Sequence, residues 1–385
     1  MDENSFDYII AGGGMAGLSL VFYLNESRLR DKKILIIDRD SKDKNDHTWC
    51  FWEKDKGAFE EIVFRKWQRV WFHGTRTFSE NLDLGEYVYK MIRARDFYEL
   101  VFSKIKQNPN FTFLQAEILQ IENETVQTDK GDFFANEFIF DGFTRKSYDN
   151  PKYLNLWQHF RGWLIETDQP IFDTNAPTLF DFRVEQKGEC RFAYILPFSA
   201  NKALVEFTVF SDNILPPDEY DLYLKKYIAD ILKVENYRTL ETESGVIPMS
   251  DELHEQFRAP KVIRIGTAGG YVKPSTGYSF RRTQKRLRKL VEDLQNPNFK
   301  FKIQNSKFQK WKSYLDSVLL NVLLKKTHAA DDIFTALFSR NEVAQVLKFL
   351  DEESSFVEDL AIMKTVPLAP FAKSAVAVAV RKIMQ

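Results

Sequence analysis

The chain has 385 residues and is almost neutral, with 54 Lys and Arg against 55 Asp and Glu and a formal net charge of −1. This length is sufficient for two interlocked domains with a substantial core. The balanced charge excludes a general attraction to nucleic acid. The five histidines are scattered and lack the spacing of a metal site. Two cysteines and the lack of an apolar leader segment indicate an intracellular, cytoplasmic protein without disulfides.

The first predicted element is a short apolar strand that leads directly into a glycine-rich turn. Residues 7–11 precede Gly12, Gly14 and Gly17, which form the pattern Gly-x-Gly-x-x-Gly, and a helical pattern follows. In dinucleotide-binding folds the first glycine makes the turn, the second lets backbone N–H groups approach the pyrophosphate, and the third lets the helix pack on the strand. The phosphates lie at the positive end of that helix. The pattern therefore predicts a nucleotide cofactor, with an ordinary glycine-rich turn as the alternative.

A second predicted strand supports the same interpretation. Residues 33–37 are apolar and end at Asp38, roughly 20 residues beyond Gly17, where a carboxylate accepts hydrogen bonds from ribose hydroxyls. The two strands and the helix between them predict an α/β, Rossmann-like nucleotide domain.

The next segment is rich in aromatic side chains and departs from this pattern. Residues 46–52 are Asp-His-Thr-Trp-Cys-Phe-Trp, and strand-like alternation follows at residues 68–72. A helical stretch at residues 95–106 and a strand at residues 137–140 resume the nucleotide domain. We therefore predict that this domain is interrupted by a second one.

The middle of the chain alternates as an antiparallel sheet does. Extended segments separated by turns occupy residues 160–210. A strand at residues 261–265 then leads into the turns at residues 266–270 and 274–277, followed by a helix. This arrangement brings another helix N-terminus to the cofactor.

One carboxylate stands in the middle of an apolar strand. Alternation places Glu206 on the same face as Leu204 and Thr208, and both faces of the strand are predicted to be buried. Burial raises the pKa of a carboxyl group, so that it stays protonated near neutrality and can act as a general acid. The alternative is a buried ion pair with Arg183 or Arg191.

The C-terminal part is predicted to be helical, with a capping box at residues 355–358. No stretch approaches the roughly 20 consecutive apolar residues of a spanning helix. Residues 308–324 and 369–380 nevertheless carry apolar stripes, and residues 281–289 are strongly basic. These features are compatible with peripheral attachment to the inner face of the cell membrane, and equally with packed helices and a solvated basic face.

The order of these motifs resembles the flavin-dependent lycopene β-cyclases of carotenoid biosynthesis, within the wider group of two-domain flavoproteins. The resemblance covers nearly the whole chain and is carried by Gly-x-Gly-x-x-Gly, Asp38, residues 46–52, Asp141-Gly142, residues 205–208 and residues 266–277. The segment His47-Thr48-Trp49 and the turn at residues 274–278 are its most specific parts, since many flavoproteins share the glycine fingerprint.

The resemblance implies FAD as cofactor and lycopene or a related acyclic carotenoid as substrate. The predicted FAD-binding residues are Gly12, Gly14, Gly17, Asp38, Gly266, Thr267 and Gly277. The predicted substrate-pocket residues are His47, Trp49, Phe51 and Trp52, whose rings either stabilise a cation or simply pack. The family usually has Asp where this chain has Thr267, and a hydroxyl bonds the ribityl chain more weakly. The helix after Gly277 is also more basic than the resemblance leads us to expect.

The implied reaction is a non-redox isomerisation of lycopene through γ-carotene to β-carotene. Glu206, at the position of the family's acidic motif, donates H⁺ to C2 of an acyclic end group. The C5=C6 double bond then closes on C1, and loss of H⁺ from C6 completes the β-ring. The family is implied to need the flavin reduced, with NADPH as reductant, and the negative flavin stabilises the developing cation.

Two other functions are compatible with the same scaffold. One is an FAD- and NADPH-dependent monooxygenase or prenyl (geranylgeranyl) reductase, and the other is a carotenoid carrier without catalytic activity. Glu206 on an apolar strand favours the cyclase.

A lipid-soluble substrate implies a membrane surface, and other carotenoid enzymes, as partners.

These motifs predict three regions along the chain. The discontinuous FAD-binding domain comprises residues 1–50, 90–158 and 260–300. The substrate-binding domain, with its antiparallel sheet, comprises residues 51–89 and 159–259. Residues 301–385 form a C-terminal helical region.

Overall fold

A computed structural model describes residues 4–144, 146–296 and 307–384. The strands are β1 (Ser5–Ala11), β2 (Ile34–Asp38), β3 (Thr48–Glu53), β4 (Arg65–Trp67), β5 (Arg69–His73), β6 (Ser79–Asp83), β7 (Val88–Arg93), β8 (Phe111–Gln115), β9 (Ile118–Glu122), β10 (Thr125–Thr128), β11 (Gly131–Asp141), β12 (Asn155–Thr167), β13 (Thr178–Asp181), β14 (Cys190–Ser199), β15 (Lys202–Ser211), β16 (Tyr237–Ser250), β17 (Phe257–Ala259) and β18 (Val262–Arg264). The helices are α1 (Met15–Asn25), α2 (Ala94–Gln107), α3 (Pro217–Asp230), α4 (Phe280–Leu294), α5 (Lys307–Leu324), α6 (Ala330–Ser339), α7 (Val343–Leu350), α8 (Phe356–Met363) and α9 (Leu368–Met384), with a 3₁₀ turn at Glu60–Ile62.

The first sheet is the Rossmann-like domain that the glycine fingerprint predicts. Its parallel strands lie in the order β18-β11-β1-β2-β8, with β17 antiparallel at one edge and β9 and β10 extending from β11. The interior residues of β1 and β2 are buried, as the apolar runs of parallel strands require. Helix α1 contacts both α2 and α4.

The second sheet contains the predicted antiparallel strands. Its order is β16-β12-β15-β14-β13-β5-β6, antiparallel throughout except for the parallel pair β13 and β5. One face packs on α3 and the other joins the core formed by α5–α9. The fold is therefore α/β, with a nucleotide domain, an antiparallel-sheet domain and C-terminal helices.

A small antiparallel sheet, β3-β7-β4, crosses the predicted domain limits. Strands β3 and β7 pair with each other, so the limits at residues 50/51 and 89/90 fall inside one sheet. The limit at residues 158/159 likewise falls inside β12. The limit at residues 300/301 lies outside the described residues.

The basic segment at residues 281–289 has an intramolecular partner. Residues 351–353, at the end of α7, are Asp-Glu-Glu. Arg281 pairs with Asp351 and Glu353, Arg282 lies 2.5 Å from Glu352, and Lys285 lies 2.5 Å from Glu353. An acidic partner about 70 residues away thus accounts for much of the charge that sequence alone left unexplained.

The C-terminal helices carry the predicted capping box at the start of α8, where Ser355 and Glu358 bond each other's backbone N–H groups. No helix in the described ranges is long and apolar enough to cross a membrane.

Candidate functional site

The glycine fingerprint forms a tight turn in front of α1. Gly12 has φ +105°, and a Cβ on Gly17 would lie 2.0 Å from the Gly12 carbonyl oxygen, so both positions require glycine. A Cβ on Gly14 would meet nothing within 4 Å. Gly14 therefore borders open space at the N-terminus of α1, where a phosphate group fits.

Asp38 lies against the same turn. Its Oδ2 accepts a hydrogen bond from the Gly13 N–H at 2.6 Å, and its Oδ1 lies 3.0 Å from the Lys42 ammonium. The end of β2 thus holds a carboxylate beside the fingerprint, where a ribose would be recognised.

The glycine-rich turn at residues 266–270 lies against the first turn of α1. Gly266 has φ +61°, and a Cβ there would lie 2.9 Å from the Cβ of Ala16, in the first turn of α1. Thr267 is exposed next to it. The structure therefore brings together fingerprint residues separated by about 250 positions in the chain.

The turn at residues 274–278 is surrounded by polar atoms without protein partners. Gly277 has φ +72°, and a Cβ there would lie 1.9 Å from Oε1 of Gln158. Among the described residues, Gln158 Oε1, Thr276 Oγ1 and Trp52 Nε1 are buried without a hydrogen bond. Such atoms are costly to bury. Their position around this turn fits the polar edge of a bound flavin.

Glu206 lies on β15 on the predicted face, which joins the core beneath the C-terminal helices. Its Oε1 accepts a hydrogen bond from the Thr208 hydroxyl at 2.8 Å. Its exposure is intermediate, yet protein atoms surround the carboxyl group densely enough that desolvation raises its pKa from about 4.5 to about 7. A substantial fraction therefore stays protonated at neutral pH.

The proposed arginine partners of Glu206 are engaged elsewhere. Arg183 lies 2.6 Å from Asp181, and Arg191 lies 2.6 Å from Glu189. In the part of the chain that the structure describes, Glu206 forms no ion pair with Lys or Arg. The alternative of a buried ion pair is therefore not observed.

Two tyrosines connect Glu206 with the turn at residues 274–278. Tyr194 on β14 lies directly opposite Glu206 in the strand register. The hydroxyls of Tyr194 and Tyr278 interact, and Tyr278 packs edge-on against Trp52 at 4.9 Å between ring centroids. Burial raises the pKa of both tyrosines. A single side chain, Tyr194, thus lies between Glu206 and Tyr278 of the turn at residues 274–278.

Strand β3 divides the predicted substrate-pocket residues between two faces, because successive side chains of a strand alternate. Trp52 lies on the same face of β3 as Cys50, which interacts with Glu206. Trp49 and Phe51 pack on the opposite side, against aromatic rings of α2 and α4. His47 is exposed. The structure therefore places one of the four, Trp52, against Tyr278, which interacts with the tyrosine opposite Glu206.

We did not identify β16 from its sequence, and it contributes a second carboxylate, Glu243. The Thr48 hydroxyl donates to Glu243 Oε2 at 2.9 Å. The strand is largely polar and contains Gly245 and Pro248, a composition typical of loops. The alternation of Glu241 and Glu243 with Thr242 and Ser244 is a sequence signal for a strand face at this site.

Comparisons with known proteins agree with this architecture. A family model described as "Lycopene cyclase protein" matches residues 7–376. A lycopene beta-cyclase from Pseudescherichia vulneris is 26% identical over 286 residues, covering 71% of this chain and 70% of that protein. A chloroplastic neoxanthin synthase from Solanum tuberosum is 26% identical over 313 residues, covering 74% of this chain.

The match spans 60% of the length of that plant relative. Among solved structures, a flavoprotein/dehydrogenase from Cytophaga hutchinsonii superimposes with a TM-score of 0.64 at 12% identity, covering 98% of this chain and 100% of that one. At this identity the likeness shows a shared fold.

Proposed function

The chain belongs to the lycopene cyclase family, and from this we propose that it cyclises the acyclic ends of lycopene, or of a related acyclic carotenoid, to give γ-carotene and then β-carotene. The observation that carries the proposal is Glu206, a carboxyl group with a pKa raised to about 7, not ion-paired with any described Lys or Arg and close to the turn at residues 274–278.

In the proposed reaction, protonated Glu206 transfers H⁺ to C2 and leaves positive charge at C1. The electrons of the C5=C6 double bond form the C1–C6 bond and move the charge to C5. Loss of H⁺ from C6 then restores a C5=C6 double bond. One proton enters and one leaves, so the product is an isomer of the substrate and the enzyme is an intramolecular lyase or isomerase.

The aromatic side chains around Glu206 support a cationic intermediate. Tyr194 lies directly opposite Glu206 in the strand register, and the rings of Tyr278 and Trp52 continue from it. Each cation–π contact that such a ring makes with the intermediate contributes about 0.5–2 kcal/mol. The burial of these rings also limits the access of water that would trap the cation.

We propose FAD as the cofactor because the chain's residues fit it. The open N-terminus of α1 at Gly14 would bind the pyrophosphate, and Asp38 would accept hydrogen bonds from the ribose. The unpartnered atoms around residues 274–278 would bond the polar edge of the flavin ring. Gly266 and Thr267 border the same site. When bound in its reduced form, a state for which NADPH is the proposed electron source, FAD supplies negative charge near the cation.

The proposal is tested by expressing the chain in cells that accumulate lycopene and separating the carotenoids by chromatography. We expect γ-carotene and β-carotene. With purified protein, FAD, NADPH and lycopene under anaerobic conditions, NADPH consumption is expected to be far below one equivalent per ring. Acyclic products formed with stoichiometric NADPH consumption would instead identify a reductase.

We also propose that the C-terminal helices attach the protein to the membrane in which such a substrate dissolves. Helices α8 and α9 expose large apolar side chains, namely Phe356, Val357, Leu360, Leu368, Val376, Val380, Ile383 and Met384. Lys373 is the one charged residue within residues 369–380, which suits anionic headgroups. An apolar cavity of about 80 Å³ is lined by residues of α5–α9 together with Lys273 and Ser275, the latter in the turn at residues 274–278.

Replacing both Val376 and Val380 by Asp is expected to lower binding to vesicles by at least tenfold, because each charge would have to enter the apolar boundary of the bilayer. Binding is measured by co-sedimentation with vesicles of equal parts phosphatidylglycerol and phosphatidylcholine. Leu119→Asp changes an equally exposed leucine in the nucleotide domain and serves as control. Equal binding of all three proteins would contradict the assignment of this face.

A further inference from the structure

Glu206 and Glu243 flank one glycine in the large sheet. Gly162 on β12 is paired with Glu206 on β15 at one side and with Glu243 on β16 at the other. Residues paired in this way direct their side chains to the same face. The two glutamates therefore emerge on one face, separated by a single strand.

Gly162 leaves the space through which these side chains meet. A Cβ on Gly162 would lie 3.5 Å from the Cβ of Glu206, 3.3 Å from the Cγ of Glu243 and 3.0 Å from Leu204. Without it, the two carboxyl groups cross the intervening strand and hydrogen-bond to each other. Two carboxyl groups can form such a bond only when they hold a proton.

The surroundings of the pair offer no compensating positive charge. The neighbouring groups that interact with it are the hydroxyls of Thr48 and Thr208, the Cys50 thiol, the hydroxyls of Tyr89 and Tyr194, and the Glu241 carboxylate. Among the described residues no Lys or Arg pairs with either glutamate. Two adjacent negative charges would thus stand nearly unopposed.

The pKa values of Glu206 and Glu243 are both raised, because the pair is buried and no described Lys or Arg compensates its charge. Burial raises the pKa of Glu206 to about 7 and holds the pKa of Glu243 well above its usual range, and the adjacent carboxylate raises the latter further. The pair therefore loses one proton near neutrality and keeps the second at higher pH. Glu243 also lines a small cleft with Thr48 and Leu204.

We propose that Glu243 is the positioning residue of the reaction, holding one proton jointly with Glu206 so that Glu206 can deliver it to the carotenoid. This inference rests on the proposed function. Delivery of H⁺ to C2 leaves the pair with two negative charges next to the cation. The doubly ionised pair is strongly basic and recovers H⁺ from C6, so the pair returns to its starting state without solvent.

The test is the pH dependence of cyclisation by Glu243→Gln. Glutamine retains the shape but leaves Glu206 with its own proton, which is lost near pH 7. We expect near wild-type rates at pH 6 and at least a tenfold loss at pH 8.5 relative to wild type. Glu235→Gln, which changes an exposed carboxylate just before β16, is the control and is expected to follow the wild-type profile. A Glu243→Gln rate reduced equally at all pH values would overturn the proposal.

A second variant shifts the profile in the opposite direction. The Thr48 hydroxyl stabilises the charged form of Glu243 and lowers its pKa. Thr48→Val is therefore expected to keep the pair protonated to higher pH. A shift toward lower pH would contradict the shared proton.

An infrared titration separates this inference from the proposed function. The band of a buried protonated carboxyl is expected to persist above pH 8 in the wild-type protein and to disappear near pH 7 in Glu243→Gln, whether or not carotenoid is converted. Identical titrations of the two proteins would overturn the proton sharing, even if wild-type protein cyclises lycopene.

Discussion

Glu206→Gln is expected to abolish ring closure while leaving the fold and flavin content unchanged. The amide has the size of the carboxyl group and accepts the Thr208 hydroxyl as before, but it has no proton acidic enough to transfer to an alkene. Loss of a general acid alone costs about 10²–10⁴-fold. Here no other step generates the cation, so we expect product below detection.

The measurement is chromatography of carotenoids from lycopene-accumulating cells that express the variant, supported by the flavin absorbance of the purified protein. Glu235→Gln is the matched control, because it makes the same change at an exposed carboxylate just before β16 and is expected to leave β-carotene formation intact. β-Carotene made by Glu206→Gln would remove Glu206 from the mechanism.

The same variant has a stability signature with a defined sign. The raised pKa means that folded protein binds this proton more tightly than unfolded protein, so the favourable contribution is present below about pH 4.5 and is lost as pH rises through about 7. Above that pH the ionised carboxylate costs about 3 kcal/mol. The free energy of unfolding of Glu206→Gln, measured with urea, should therefore increase relative to that of wild type between pH 5 and pH 8.5.

Gly14→Val is expected to eliminate FAD binding without unfolding the protein. The new side chain meets no protein atom, since a Cβ on Gly14 has no neighbour within 4 Å. It occupies the space in front of the N-terminus of α1, where backbone N–H groups would bind the pyrophosphate. We expect FAD affinity to fall by at least a hundredfold.

Flavin absorbance after reconstitution and the thermal midpoint of the flavin-free protein are measured together. Thr112→Val is the control, because it introduces the same side chain at an exposed position on β8, at the edge of the nucleotide sheet. Gly17→Ala is expected to lower both flavin content and stability, since its Cβ would overlap the Gly12 carbonyl. Full flavin content in Gly14→Val would contradict the assigned phosphate site.

Local patterns were predictable wherever neighbouring residues dictate structure. The fingerprint at Gly12–Gly17 is a strand, a turn and a helix in direct succession, so its glycines could be assigned without tertiary information. The position of Glu206 followed from the period of two in β15. The capping box at Ser355 depends on four consecutive residues.

Features that depend on distant partners were not predictable in this way. The basic side chains of α4 form ion pairs with residues 351–353, and the sequence of neither segment indicates that the other is its partner. The aromatic segment at residues 46–52 was visible in the sequence, but which of its side chains point toward Glu206 depends on how the small sheet packs on the large one. Trp49 and Phe51 consequently lie away from the acid.

The amino-acid order alone was enough to predict a nucleotide-binding α/β domain, an antiparallel sheet and a buried acid, because each depends on backbone periodicity or on glycine at adjacent positions. The pairing of Glu206 with Glu243 across Gly162 required the folded chain. Strand register joins residues 162, 206 and 243 although β13 and β14 separate the first two in the chain and α3 separates the last two. The protonation of a carboxyl group depends on which charges lie within a few ångströms, not on its neighbours in sequence.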